Sequence, residues 1–259
     1  MNTPDDPVKL FSVDQLSVRI YTDQLQMSQA VALDIQNYLQ ATLAVQASIS
    51  AVLATGNSQI HFLSELARNK DLNWSSITFF HMDEYLGISP DHPASFRRYL
   101  RERVEEKIHP KTFHYIEGDA QEPLDECNRY AKLLRSNEID LCCLGIGENG
   151  HIAFNDPPVA NFEDPYLVKI VKLDHACQLQ QVNEGHFPNL GAVPDYALTL
   201  TIPALCLARK MCCIVPEKRK AKAVKRALNG PIDVSCPASA LRRCPQATLF
   251  LDADSASEL

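Results

Sequence analysis

No apolar run in the 259 residues approaches the roughly 20 that a membrane helix needs, so a spanning helix is not expected. A positive excess is also missing. Twenty-five Lys and Arg stand against 32 Asp and Glu, a formal net charge of −7, which removes the basic face of a nucleic-acid binder. The opening, Met1 to Leu10, has no apolar core behind a basic head, so no secretory signal is expected and the compartment reads as cytoplasmic. There is no C-x-x-C pair among the nine cysteines, at 127, 142, 143, 177, 206, 212, 213, 236 and 244. Cys142–Cys143 and Cys212–Cys213 fall in apolar runs where successive side chains point to opposite faces. They read as buried small hydrophobes rather than zinc ligands or disulfides. No internal repeat or low-complexity linker divides the chain. With 46% hydrophobic and 22% charged residues it should fold, and a single domain over 1–259 is expected.

What is present is an alternation of short apolar runs with longer helical patterns. Thr22 or Asp23 can cap a helix carrying Leu25, Val31, Ile35, Tyr38 and Leu39 on one side. The run Ala47 to Ala54 leads through a Gly-containing turn into a helix ending near Leu66. Strands are expected at Ile77 to Met82, Phe113 to Ile116, Ile139 to Ile146, 167–173, 210–215 and 247–251. Helices are expected over Pro93 to Lys107, 122–136 and 217–228. This order predicts an α/β fold, a Rossmann-like, mostly parallel sheet with helices on both faces. Such sheets bind ligands beyond the carboxyl ends of their strands, so the residues after each run matter most.

Four such places stand out. Thr55, Gly56, Asn57 and Ser58 combine a tight turn, two hydroxyls and an amide at a helix start, a candidate anion cradle. Asp83 and Glu84 are adjacent carboxylates behind a strand; solvated loop acids are the bland explanation, and a carbon base is the chemical one. Gly145, Gly147 and Gly150 allow backbone to approach a ligand closely. They flank Asn149 and His151, with Asp156 five residues on and near enough in sequence to fix the imidazole tautomer. Lys220 lies among six basic residues in 217–228; most form a solvated face, and one near the helix start can add charge to an anion site.

Together, the stretches Phe80-His81-Met82-Asp83-Glu84-Tyr85 and Gly150-His151-Ile152-Ala153-Phe154-Asn155-Asp156-Pro157 resemble the glucosamine-6-phosphate deaminase (glucosamine-6-phosphate isomerase) family. Support comes from Ala54 to Ser58, Val193 to Thr199 and the Lys220 segment. The resemblance implies a cofactor-free and metal-free opening, isomerisation and deamination of glucosamine 6-phosphate to fructose 6-phosphate and ammonia. It assigns Asp83 to moving the C2 proton towards C1 and His151 to ring opening, with Asn149 and Asp156 as its supports. Thr55, Gly56, Asn57, Ser58, Glu84, Gly147 and Lys220 fall to substrate binding. The implied partner is a small sugar phosphate, with neither nucleic acid nor membrane.

Three departures from the family pattern are visible: Asn149 where Asp is common, Asp156 where Glu is commoner, and a lid without its phosphate-binding arginine. Between Lys172 and Arg209 there is no Lys or Arg, and Glu184 stands near the expected position. Either glucosamine 6-phosphate binds weakly, or the ligand suits Gln180, Gln181, Asn183 and Glu184. Two alternatives stay open: a 6-phosphogluconolactonase-like hydrolase, and a sugar-phosphate sensor, for which no DNA-binding domain has room here. The chain stops just after its last strand, without the extension of the hexameric members, so a monomer or small homo-oligomer is expected.

Overall fold

The strands Ile49–Leu53 and Leu141–Leu144 are buried on both faces, as befits the middle of a parallel sheet covered by helices. The structure is a computed structural model and describes residues 6–259. In chain order its elements are β1 (Lys9–Val13), β2 (Leu16–Tyr21), α1 (Gln24–Leu43), β3 (Ile49–Leu53), α2 (Ile60–Ala67), β4 (Ile77–His81) and β5 (Asp83–Tyr85). There follow α3 (Phe96–Leu100), α4 (Glu106–Ile108), β6 (Thr112–His114), α5 (Pro123–Arg135), β7 (Leu141–Leu144), β8 (Val168–Lys172) and α6 (His175–Asn183). The chain closes with β9 (Tyr196–Leu200), α7 (Ile202–Leu205), β10 (Lys210–Val215), α8 (Ala221–Asn229) and β11 (Ala247–Asp252).

The main sheet runs β1-β2-β11-β10-β7-β3-β4-β6, parallel except for the β1–β2 pair. From β3 the chain builds outward through β4 and β6. It then returns to lay β7 on the other side of β3 and continues through β10 and β11. That reversal opens a crevice at the carboxyl ends of β3 and β7, where doubly wound sheets hold ligands.

Helices cover both faces. One apolar core packs α1, α2 and α3 to α4 on the sheet, and the other packs α5 and α8. Cys142 and Cys213 enter one core, Cys143 and Cys212 the other, as strand alternation requires. All nine cysteines are free thiols. Asp23, not Thr22, caps α1 by accepting the Gln26 N–H at 2.9 Å. The helix expected from Pro93 begins later, capped by Ser95, and its Arg101–Glu105 segment is a π-helical turn. The strand expected at 167–173 forms, but in a second, antiparallel sheet ordered β5-β9-β8. No helix among the described residues is long and apolar enough to cross a membrane.

Candidate active site

After Leu53 the chain must turn at once to enter α2, and Gly56 does so at φ 98°, a region disfavoured for other residues. Thr55, Gly56, Asn57 and Ser58 line a cleft of about 580 Å³, counting the part open to solvent. The Tyr99 hydroxyl donates to the Gly56 carbonyl (2.9 Å). Gln59 donates to Ser58 Oγ (3.0 Å) and to the Ile214 carbonyl of β10 (3.2 Å), so the turn is fastened across the crevice.

Asp83 and Glu84 part company because they are neighbours in a strand. Asp83 faces the cleft, is 6% exposed, and its carboxylate has no hydrogen-bond partner among the described residues. Burial, then the charge of Glu84, push its carboxyl well above the usual range. Glu84 points the other way and is fully buried, so the expectation that it binds substrate is corrected. It accepts from the Ser95 hydroxyl (2.8 Å) and the N–H groups of Tyr85, Phe96 and Arg97 (3.0, 3.1 and 3.0 Å). Arg97 Nε lies 3.4 Å away. Glu84 therefore anchors the start of α3. His81 is likewise structural: burial, then Arg97, lower it to about 3, and its Nε2 accepts the Ile116 N–H at 2.7 Å.

His151 lies on the β7 loop and lines the cleft. Its Nδ1 stands 2.9 Å from Asp156 Oδ1. Asn149 donates to the same oxygen (2.9 Å) and accepts the His151 N–H (3.0 Å), while Asp156 Oδ2 accepts the Asp174 N–H (3.1 Å). Burial opposes ionisation of Asp156, but the charge and hydrogen bond of His151, with the Asn149 and Asp174 donors, outweigh it. Its carboxyl is held below the ordinary range. Gly147 leaves room for the imidazole, since a Cβ there would lie 2.1–2.4 Å from the ring atoms. One residue of the small sheet ties both reactive loops together. Thr199 pairs with Asp83 across β5–β9, and its Oγ1 accepts the Phe154 N–H (3.0 Å). Cys177 brings a third potential ligand atom within 4.8 Å of those of His151 and Asp156. Burial, then Asp156, push that thiol well up and keep it protonated, a poor donor for a metal.

Lys220 ends the turn after β10, is 3% exposed, lines the cleft and forms no ion pair among the described residues. Burial lowers its pKa although Glu184 supports the charge. The segment 174–193 supplies Gln180, Gln181 and Glu184 to the cleft wall; Asn183 is not part of the wall. Glu184 is already compensated. Its Oε1 meets Arg219 Nη1 at 2.5 Å and Gln180 Nε2 at 2.7 Å, and its Oε2 lies 3.3 Å from His186 Nε2. No site role was expected for Arg219, Asp174 or Thr199, although Arg219 is one of the six basic residues of 217–228 and Thr199 closes the Val193 to Thr199 stretch. Asp174 sits at the cap position of α6, a place where its residue type is favoured.

The cleft thus gathers a raised carboxylate, a carboxylate-backed imidazole and a buried lysine beside a turn whose N–H groups at 55–58 have no partner among the described residues. That set suits proton transfer on an anionic small molecule. A family model described as glucosamine-6-phosphate isomerases/6-phosphogluconolactonase matches residues 22–250. A glucosamine-6-phosphate deaminase of an Exiguobacterium strain is 34% identical over 79% of this chain and 78% of its own. Another, from Listeria monocytogenes, is 34% identical over 80% of this chain and 86% of its own. Among solved structures, a monomeric glucosamine-6-phosphate deaminase superposes with TM-score 0.85 at 30% identity, covering 93% of this chain and 99% of that one. A 6-phosphogluconolactonase from Thermotoga maritima gives 0.73 at 22% identity, over 91% and 98%, a likeness of fold alone.

Proposed function

The chain belongs to the glucosamine-6-phosphate isomerase/6-phosphogluconolactonase family of enzymes, and from that premise we propose that it converts glucosamine 6-phosphate and water to fructose 6-phosphate and ammonium. The phosphate sits on the turn Thr55–Ser58 with Lys220 beside it. The sugar extends towards Asp83 and His151. His151 carries the proton of O1 to the ring oxygen, the C1–O5 bond breaks, and C1 becomes an aldehyde. Asp156 and Asn149 hold the ring for that transfer. Asp83 then takes the C2 proton and returns it to C1, while O1 receives a proton from the C2 ammonium. The product is a C2 iminium with a C1 hydroxymethyl group. Water adds to C2, the C–N bond breaks, and ammonium leaves. No redox or metal cofactor is required by this sequence of proton transfers.

The observation that supports this reading best is the position of Asp83: buried, unpartnered, raised in pKa and facing the same cleft as His151 and Lys220. A carboxylate so poised suits abstraction of a weakly acidic C–H. The proposal extends to a single domain, a cytoplasmic location and a monomer or small homo-oligomer; the solved relative described as monomeric supports a monomer. The test is ammonia and fructose 6-phosphate formation from glucosamine 6-phosphate in deuterated water, with deuterium at C1. Hydrolysis of a 6-phosphogluconolactone without ammonia release from the amino sugar would overturn it.

A further inference from the structure

The phosphate end of the cleft has an electrostatic problem. A dianion on Thr55–Ser58 and Lys220 would share the cleft with the carboxylate of Glu184, which also lines it. Glu184 stays ionised: burial opposes this, but His186, Arg219 and Lys220 together hold it at about 2. The lid offers no lysine or arginine of its own between Lys172 and Arg209.

The compensating charge comes from the turn that bears Lys220. Arg219 Nη1 reaches Glu184 Oε1 (2.5 Å) and Glu148 Oε1 (3.1 Å), and its Nε reaches Glu217 Oε2 (2.5 Å). Arg219 itself does not line the cleft. The lid end is further joined to the phosphate turn, since Asn57 Nδ2 lies 3.4 Å from the Glu184 carbonyl, and to the His151 loop, since the Glu148 N–H donates to Gln180 Oε1 at 3.0 Å.

We propose that Arg219 is a specificity-determining positioning residue. It touches no phosphate; it neutralises and holds Glu184, so that the lid can close over a dianion despite carrying an acid where a base would be expected. This rests on the reading that the cleft binds a sugar phosphate. It has a signature that neither a direct phosphate ligand nor a mere structural residue shares: removal of Glu184 makes Arg219 dispensable.

The experiment is a double-mutant cycle on the full chain, read as KM and kcat with glucosamine 6-phosphate and, independently of turnover, as calorimetric binding of inorganic phosphate. Arg219→Ala should raise KM and weaken phosphate by about tenfold or more, the scale of one uncompensated charge nearby, with kcat within about threefold. Arg219→Lys, which keeps the charge, should stay within about threefold of wild type. Glu184→Gln in the Arg219→Ala background should bring both constants back to within about threefold. If Arg219→Ala does not fold, Arg219→Gln serves in its place. A double variant as weak as Arg219→Ala, an unaffected Arg219→Ala, or an Arg219→Lys as weak as alanine would each overturn the role of Arg219 while leaving the phosphate site standing. Absence of phosphate binding by the wild type would instead overturn the sugar-phosphate reading, and this proposal with it.

Discussion

Gly147→Ala isolates what the placement of His151 contributes. The new Cβ would lie 2.1 Å from Cε1, 2.2 Å from Nε2 and 2.4 Å from Nδ1 of the ring. Carbon contacts settle near 3.5 Å, so the imidazole must retreat by about 1 Å or more. It cannot do so and keep the 2.9 Å approach of Nδ1 to Asp156. A displacement of that size at a proton-transfer group costs about 10²-fold in rate. The phosphate turn and Lys220 belong to other loops and stay where they are, so kcat should fall about 10²-fold while KM changes by less than about threefold. Steady-state kinetics of fructose 6-phosphate formation gives both values, and nitrogen NMR of the His151 ring reports its pairing with Asp156. A variant with full kcat and unchanged ring nitrogens would refute the assignment of His151 to the chemistry.

Asp83→Asn should lower kcat by about 10²-fold or more while ligand binding persists, measured as loss of deuterium exchange at C1. It should also melt higher than wild type at neutral pH. A carboxyl raised by folding contributes stability only while protonated, and loses it as pH climbs through the raised value, so the gap in melting temperature should close on acidification. Glu84→Ala strands four donors and the Arg97 guanidinium, and should cost about 3 kcal/mol in urea unfolding. Lys220→Ala should weaken glucosamine 6-phosphate about tenfold or more and leave unphosphorylated glucosamine unaffected, read by competition kinetics.

The site was legible wherever a short turn follows an apolar run, because a parallel sheet delivers such turns to one edge. Thr55–Ser58, Gly147–His151 and Lys220 meet for that reason. Glu84 was misread because an acidic pair looks like one feature, whereas strand alternation sends its members to opposite sides. Arg219 was invisible among the six basic residues of 217–228, since only the fold brings Glu184, 35 positions away, against it. The small sheet was half seen: β8 has an apolar run, but β9 lies in Tyr196–Leu200, which was read for its motif and not as a strand. The strands β1 and β2 escaped because they precede the regular alternation and join the sheet through a pairing with β11, nearly a whole chain length away.

The meeting of β3 and β7 also dictates when during synthesis the catalyst comes into being. A ribosome that has released residues up to the turn at 136–138 has made the phosphate cradle and the carboxylate of Asp83, with neither the imidazole nor the lysine. Everything that completes the set arrives afterwards and must slot against a strand left open on one side, with β10 and β11 following it and β11 finally gripping β2. Neither portion alone holds both of the residues to which the proposal gives the carbon base and the oxygen proton carrier. On the proposed roles, chemistry switches on only with the closing of the sheet, and a chain stopped before β7 would hold half the apparatus.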